Sequence, residues 1–274
     1  MTETSKDSVL AAVLASGVSL PSPSQTLIQL QQAVADPEAG PRQLADIAEQ
    51  DPVLAGALVR VANSPVFYQQ RAPRSLAEVI ALLGATKLLG IAVSSALRGK
   101  IPGVDPAIVD AIWARSADVA ACTFQAARRS RRRDLADPGY FTALVHDAGL
   151  CVMLRRFPLS APLLRVARPA DFDAAALAFD AAAGTEHAAV GALIVRNWKL
   201  PALIADAVNL HHNLPQLNHS GDEAAVLATL VALGRRLADG PSAAWEAWAP
   251  LAQRWLDVDA SWLAAMEVPT SAPE

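Results

Sequence analysis

Apolar residues recur every three to four positions along almost every stretch between helix breakers, while two-residue alternation bounded by hairpin turns is absent. The pattern predicts an all-α protein. A first helix is expected over about 7–15, and Leu20-Pro21-Ser22-Pro23 leads into a second that carries Leu27, Leu30 and Val34. Pro41 opens a third. Asp51-Pro52 starts a fourth, with Asp as cap and Pro in the first turn, and this helix runs to Asn63-Ser64-Pro65. Ser75 and Glu78 have capping-box spacing and open a helix that ends near Gly84, after which 87–97 continues helically. Ile101-Pro102-Gly103 is a breaker cluster and the expected boundary between two lobes. Beyond it, Asp105-Pro106 begins a long helix to Arg129, and another is expected over about 138–157. An Ala-rich helix within 158–184 and helices near 185–197, 201–212 and 222–238 follow. Trp248, Trp255 and Trp262 are spaced by seven, with Trp245 three before the first, so they form one helical stripe that is expected to pack in the core. Pro250 is expected to divide this stripe into two short helices.

Composition narrows the class. The 274 residues are 53% hydrophobic and 18% charged, enough apolar side chain to bury a core and too little charge for a disordered chain. A net charge of −4 makes nucleic acid an unexpected partner. Cys122 and Cys151 are the only cysteines and lack CxxC spacing, so they read as small core residues. The start, MTETSKDSVL, lacks a basic region followed by an apolar one, and the most apolar window, 80–97, is interrupted by Lys87, two glycines and two serines. The expectation is a soluble, cytoplasmic chain with no membrane partner.

His146-Asp147 stands out because its helix is apolar all round, from Phe141, Leu144 and Val145 to Leu150, Cys151 and Val152. A carboxylate in such a helix needs a hydrogen-bonding, cationic or metal partner. His187 precedes Val190, Gly191 and Ile194 by helical spacings, and His211 follows Ile204, Ala207 and Val208 likewise, so both point inward, with His212 beside the second. His219 reads as a surface loop residue. Together His146, Asp147, His187, His211 and His212 form a convergent set suited to a divalent transition metal. The alternative is structural: histidines near helix ends bond backbone carbonyls, and a buried His–Asp pair can tie helices together. The run Arg128-Arg129-Ser130-Arg131-Arg132-Arg133 reads as a solvated helix end complementing the helix dipole, or as a clamp for a phosphate-bearing ligand or an acidic partner. Asn63-Ser64-Pro65 reads as a helix stop and Asp51 as a cap.

These motifs, in order, resemble the HDOD domain, the HD-related output domain of bacterial signalling proteins. The resemblance is carried by Leu20-Pro21-Ser22-Pro23, Asp51-Pro52, Ala62-Asn63-Ser64-Pro65, Ser75 with Leu83-Gly84, Trp113, Ser116, His146-Asp147 with Gly149, Glu186-His187 with Val190-Gly191, Trp198, Leu200-Pro201 and His211-His212. It covers about 19–215. It implies an HD-domain-like helical bundle preceded by a helical N-terminal lobe: an arm over 1–18, the N-terminal lobe over 19–103, the HD-like lobe over 104–217 and C-terminal helices over 218–274. Asp51, Asn63 and Ser64 would dock one lobe on the other. The wider HD superfamily includes metal-dependent phosphohydrolases that use an early His, the His-Asp pair and a late Asp as ligands. Here Arg115 stands beside Ser116 where the early His is expected, and Gly234-Arg235-Arg236 where the late Asp would fall. Guanidinium stays protonated and cannot ligate a metal. The expectation is a non-enzymatic signal-transduction output or scaffold domain, without a cofactor, that binds signalling proteins in trans and keeps a vestigial pocket able to take a small ligand. One alternative is an HD-superfamily phosphohydrolase acting on a nucleotide or phosphodiester with a divalent transition metal. Another is a nucleotide or other phosphate ligand held without turnover by Arg115, Arg128 and Arg129.

Overall fold

The computed structural model describes residues 13, 15–67, 71–99, 101–214 and 222–267, and among these residues it has fourteen α-helices and no strands. The helix expected over 7–15 lies largely outside these residues, as does His219. The first five helices are α1 (Gln25–Val34), α2 (Pro41–Ala48), α3 (Pro52–Ala62), α4 (Leu76–Leu83) and α5 (Ala85–Leu97). Their starts follow local chemistry: Ser24 accepts from the Leu27 N–H, Asp51 from Val53 and Leu54, and Ser75 from Glu78, whose own carboxylate accepts from the Arg74 N–H. Gly84, at φ 79°, separates α4 from α5 with a bend of 111°. Among the described residues, no single helix is long and apolar enough to cross a membrane.

After the 101–105 connection come α6 (Pro106–Arg129), α7 (Ala136–Val145), α8 (Ala148–Met153), α9 (Phe172–Ala183), α10 (His187–Asn197), α11 (Ala202–Leu210), α12 (Glu223–Asp239), α13 (Ala243–Leu256) and α14 (Ala260–Glu267). Two expectations need correction. The helix expected over 138–157 is two helices, interrupted at His146-Asp147, where Asp147 has φ −96° and ψ 7°. Pro250 does not divide the tryptophan stripe: it lies inside α13, and the break comes at Asp257, in the left-handed region at φ 60°. Burial of Trp245, Trp248 and Trp255 outweighs the one backbone hydrogen bond that Pro250 removes. Those three are core residues as expected, and Trp262 is partly buried.

α6 packs along α7 and α12, α10 packs on α8 and α11, and α5 lies across α7, so one apolar core runs through both lobes. Phe67 carries much of the lobe contact, its ring centroid 4.9 Å from Phe124 and 5.6 Å from Tyr140. Buried Lys87 donates to Asp137 Oδ1 at 2.5 Å and lies over the Phe124 ring. The docking role expected of Asp51, Asn63 and Ser64 is thereby narrowed. Asp51 caps α3, Asn63 is exposed at its C-terminus, and only Ser64 lines a groove between the lobes. Cys122 and Cys151 are free, and burial pushes their thiols up to about 11 and about 12.

A buried histidine and carboxylate cluster

Two close helix approaches assemble the site. A Cβ on Gly149 would overlap the His187 carbonyl, so glycine lets α8 seat on the N-terminus of α10 and brings Asp147 beside His187. A Cβ on Gly234 would overlap the Thr123 hydroxyl, so glycine also lets α12 settle on α6, bringing Arg235 and Asp239 toward Arg115.

Asp147 is the meeting point, and its two oxygens face different partners. Oδ2 accepts from Arg115 Nη1 at 2.7 Å and lies 3.1 Å from His146 Nε2. Oδ1 lies 3.4 Å from His187 Nε2 and 3.6 Å from His211 Nε2. The side chain is 2% exposed, so burial opposes its charge; His146, His187 and His211 outweigh that and hold the carboxyl well below its ordinary range.

On the Oδ1 side, each ring orientation has a cause. His187 Nδ1 donates to Asp180 Oδ2 at 2.7 Å, and His211 Nδ1 donates to the Val208 carbonyl at 2.6 Å. Both Nε2 atoms are thereby turned inward, 3.2 Å apart. His211 is held neutral, lowered to about 3 chiefly by burial and then by the charges of His187, His146 and Arg235. Burial opposes protonation of His187 too, but Asp147 and Asp180 outweigh it and raise the group to about 9. His187 is thus the more basic of the two rings, its Nε2 facing both Asp147 Oδ1 at 3.4 Å and His211 Nε2 at 3.2 Å. His212 Nε2 is buried without a hydrogen-bond partner among the described residues, and its ring borders a cavity of about 400 Å³ lined also by Asp180, Thr185 and Asn213.

A metal would find donors here. One donor atom from each of Asp147, His187, His211 and His212 lies within 4.8 Å of the others. The histidine-rich set suits a first-row transition ion, and the Asp180–His187 pair is the kind of outer contact that orients an imidazole ligand. His146 is tied elsewhere, donating from Nδ1 to the Ala143 carbonyl at 2.6 Å.

On the Oδ2 side a guanidinium fills the site. Arg115 donates to Asp147, to Asp173 Oδ1 at 3.0 Å, and to Asp239 Oδ2 from Nη2 at 2.6 Å and Nε at 3.0 Å, while Nη1 lies 3.4 Å from His146. Its face stacks on Phe172, 4.4 Å from the centroid. Burial works against its charge, but the three carboxylates raise its pKa. Arg235 joins the set through Asp173 at 3.1 Å and donates to the His211 carbonyl.

The anion site expected of Arg115, Arg128 and Arg129 is not assembled. Arg115 spends its donors on internal carboxylates, and at 1.5 Å rise per residue the pair at 128–129 lies about 20 Å further along α6. Arg128 and Arg129 are exposed, and the Arg129 guanidinium contacts Met266. Arg131 donates to the Arg254 and Trp255 carbonyls at the end of α13, so the run also fastens the C-terminal helices. Asp173, Asp180, Arg235 and Asp239 were not singled out from sequence as members of the site. Two of them carried a signal: Asp180 shares the inward stripe of Ala176 and Ala183, and Arg235 that of Val231 and Ala232.

Comparisons with known proteins agree with this architecture. The HDOD domain family model matches residues 20–214. A proposed metal-dependent phosphohydrolase from Shewanella amazonensis superposes with a TM-score of 0.68 at 18% identity, covering 95% of this chain and 92% of that one. An HDOD domain protein with unknown function from Geobacter sulfurreducens gives 0.59 at 24% identity, over 85% and 77% of the two chains. A proposed signal transduction protein from Marinobacter aquaeolei gives 0.65 at 21% identity, over 96% and 62%. At these identities the likeness is one of fold. An uncharacterized protein of Treponema pallidum is 22% identical over 244 residues, which is 87% of this chain, and the chain spans about half that relative's length.

Proposed function

This chain belongs to the HDOD domain family, and from that premise we propose that it is a signal-transduction output domain that acts through binding signalling proteins in trans rather than through hydrolysis. The observation that carries the reading is the Arg115 guanidinium, bonded to Asp147, Asp173 and Asp239. A fixed organic cation sits among carboxylates of the kind a phosphohydrolase in this superfamily uses for its metal. It supplies charge balance without a coordination position for water or substrate. Asp239, one turn after Arg235, spends its carboxylate on Arg115.

A second reading is favoured by a different observation, the donors of Asp147, His187, His211 and His212. These residues would hold a divalent transition metal on the far side of Asp147 from Arg115. Such an ion would supply Lewis-acid activation of a phosphate ester when bound. The protein's own residues would orient the donors, with Asp180 fixing His187 and the Val208 carbonyl fixing His211.

The two readings separate in one experiment. Full-length protein without a histidine tag, supplied in turn with manganese, iron, nickel and zinc, is assayed for phosphate release and diester cleavage over mononucleotides and cyclic dinucleotides. No turnover above the protein-free background is expected. Turnover that disappears in Asp147→Asn with the fold intact would overturn the non-enzymatic reading.

A further inference from the structure

Away from the histidine cluster, a groove of about 270 Å³ lies where α3 and α5 of the first lobe meet α6 and α7 of the second. Its polar groups include Arg60 from α3, Arg98 just after α5, Ser64, Ser95 and Asp118, and Phe67 and Tyr140 supply ring surface.

Three features of this groove bear on what it could hold. First, Arg60 and Arg98, both exposed, line one space, and among the described residues neither forms an ion pair with a carboxylate, Arg98 lying instead over the Trp113 ring at 5.6 Å. Burial lowers the Arg98 pKa, and the nearby Arg60 charge lowers it further against the opposing pull of Asp110, so two like charges share the rim of the groove. Second, Ser95 is 9% exposed and its hydroxyl has no hydrogen-bond partner among the described residues, an arrangement that costs free energy unless something else fills it. Neighbouring Ser94, by contrast, is satisfied by the Ile91 carbonyl. Third, the buried Phe67 and Tyr140 rings meet edge to face beneath these groups and make the floor of the groove apolar.

We propose that this inter-lobe groove binds a phosphate-bearing ligand with a planar ring, of the size of a mononucleotide, with Arg60 and Arg98 on the phosphate and the Ser95 hydroxyl donating to it. Paired guanidinium groups fit phosphate oxygens in charge-assisted hydrogen bonds. The apolar walls, Val53, Ala57 and Val61 among them, take the base, and the exposed Asp118 carboxylate accepts from a ring amine or a sugar hydroxyl. The volume suits a mononucleotide and is too small for a folded peptide segment. Because the walls come from both lobes, the ligand would hold them in their present arrangement. The site is separate from the histidine cluster and stands whether or not that cluster turns over a substrate.

The test uses the full-length chain and calorimetric titration with AMP, GMP, cyclic AMP, adenosine and inorganic phosphate at two salt concentrations, with thermal unfolding of each sample. Saturable binding of at least one of the three nucleotides is expected, weaker at high salt, at least about tenfold tighter than adenosine or phosphate alone, and accompanied by a rise in Tm. Arg60→Gln and Arg98→Gln should each weaken it by about tenfold or more, and Ser95→Ala by a smaller factor. Arg129→Gln, at the far end of α6, should leave it unchanged. The proposal is overturned if no nucleotide binds the folded chain at millimolar concentration. It is equally overturned if the Arg60→Gln/Arg98→Gln double variant, folded by circular dichroism, binds as tightly as the parent.

Discussion

His187 shows how far one buried side chain departs from its ordinary chemistry when its neighbours are chosen for it. With Asp180 on Nδ1 and Asp147 near Nε2, the ring holds two protons with its pKa raised to about 9, whereas His211, 3.2 Å away, is held neutral. A base whose folded-state pKa exceeds its unfolded value near 6.5 contributes stability that is fully present below pH 6.5 and is lost as pH rises through 9. In chelator-treated protein, the unfolding free energy should therefore fall between pH 6.5 and 8, below the range in which the unfolded cysteines ionise, by about 1.5 kcal/mol. His187→Gln should be less stable at pH 6.5 and nearly flat over that interval. An equal fall in both proteins would show that the charge resides elsewhere.

Between neighbouring helices, contact distance matters more than composition. Gly149 is ordinary by sequence, two residues after Asp147 in an apolar run, yet a methyl group there would occupy the space of the His187 carbonyl. Gly149→Ala must push α8 off α10, and the cost should reach at least about 3 kcal/mol, since backbone meets backbone and neither can rotate away. Thermal unfolding of Gly149→Ala beside Gly99→Ala, whose site has open space, measures it. A Tm change in Gly149→Ala no larger than in the control would contradict this packing account. The interruption at His146-Asp147 has a similar origin. Sequence periodicity runs unbroken through 138–157, because every residue from 139 to 154 is buried and the pattern cannot mark where the backbone turns to aim a carboxylate.

Arg115 ties the molecule together over long separations, reaching from α6 to the α7–α8 junction, to α9 and to the end of α12. Its side chain is 9% exposed, and Asp147 and Asp239 are buried with it at 2% and 8%. Arg115→Met keeps much of the packing on Phe172 but leaves those carboxylates facing one another, and the loss should be about 3–5 kcal/mol. Arg115→Lys should recover only part of it, since a point charge cannot span three carboxylates. Urea denaturation of the three proteins decides this, and a Met variant as stable as the parent would remove Arg115 from its central place.

The helices were legible without coordinates because their causes are local: Asp51 and Ser75 cap residues two to three positions ahead, and apolar spacing of three to four marks the buried stripe. His146, Asp147, His187, His211 and His212 were legible too, as polar residues on inward faces. Their partners were not. Arg115 could be read as an open anion donor or as a lost ligand, and the choice depends on Asp173 and Asp239, 58 and 124 residues away. The pattern along a chain reports which side of a helix turns from water. Which buried charge meets which, and whether a cation is thereby neutralised as at Arg115, follows from how helices distant in sequence are brought within a hydrogen bond of one another.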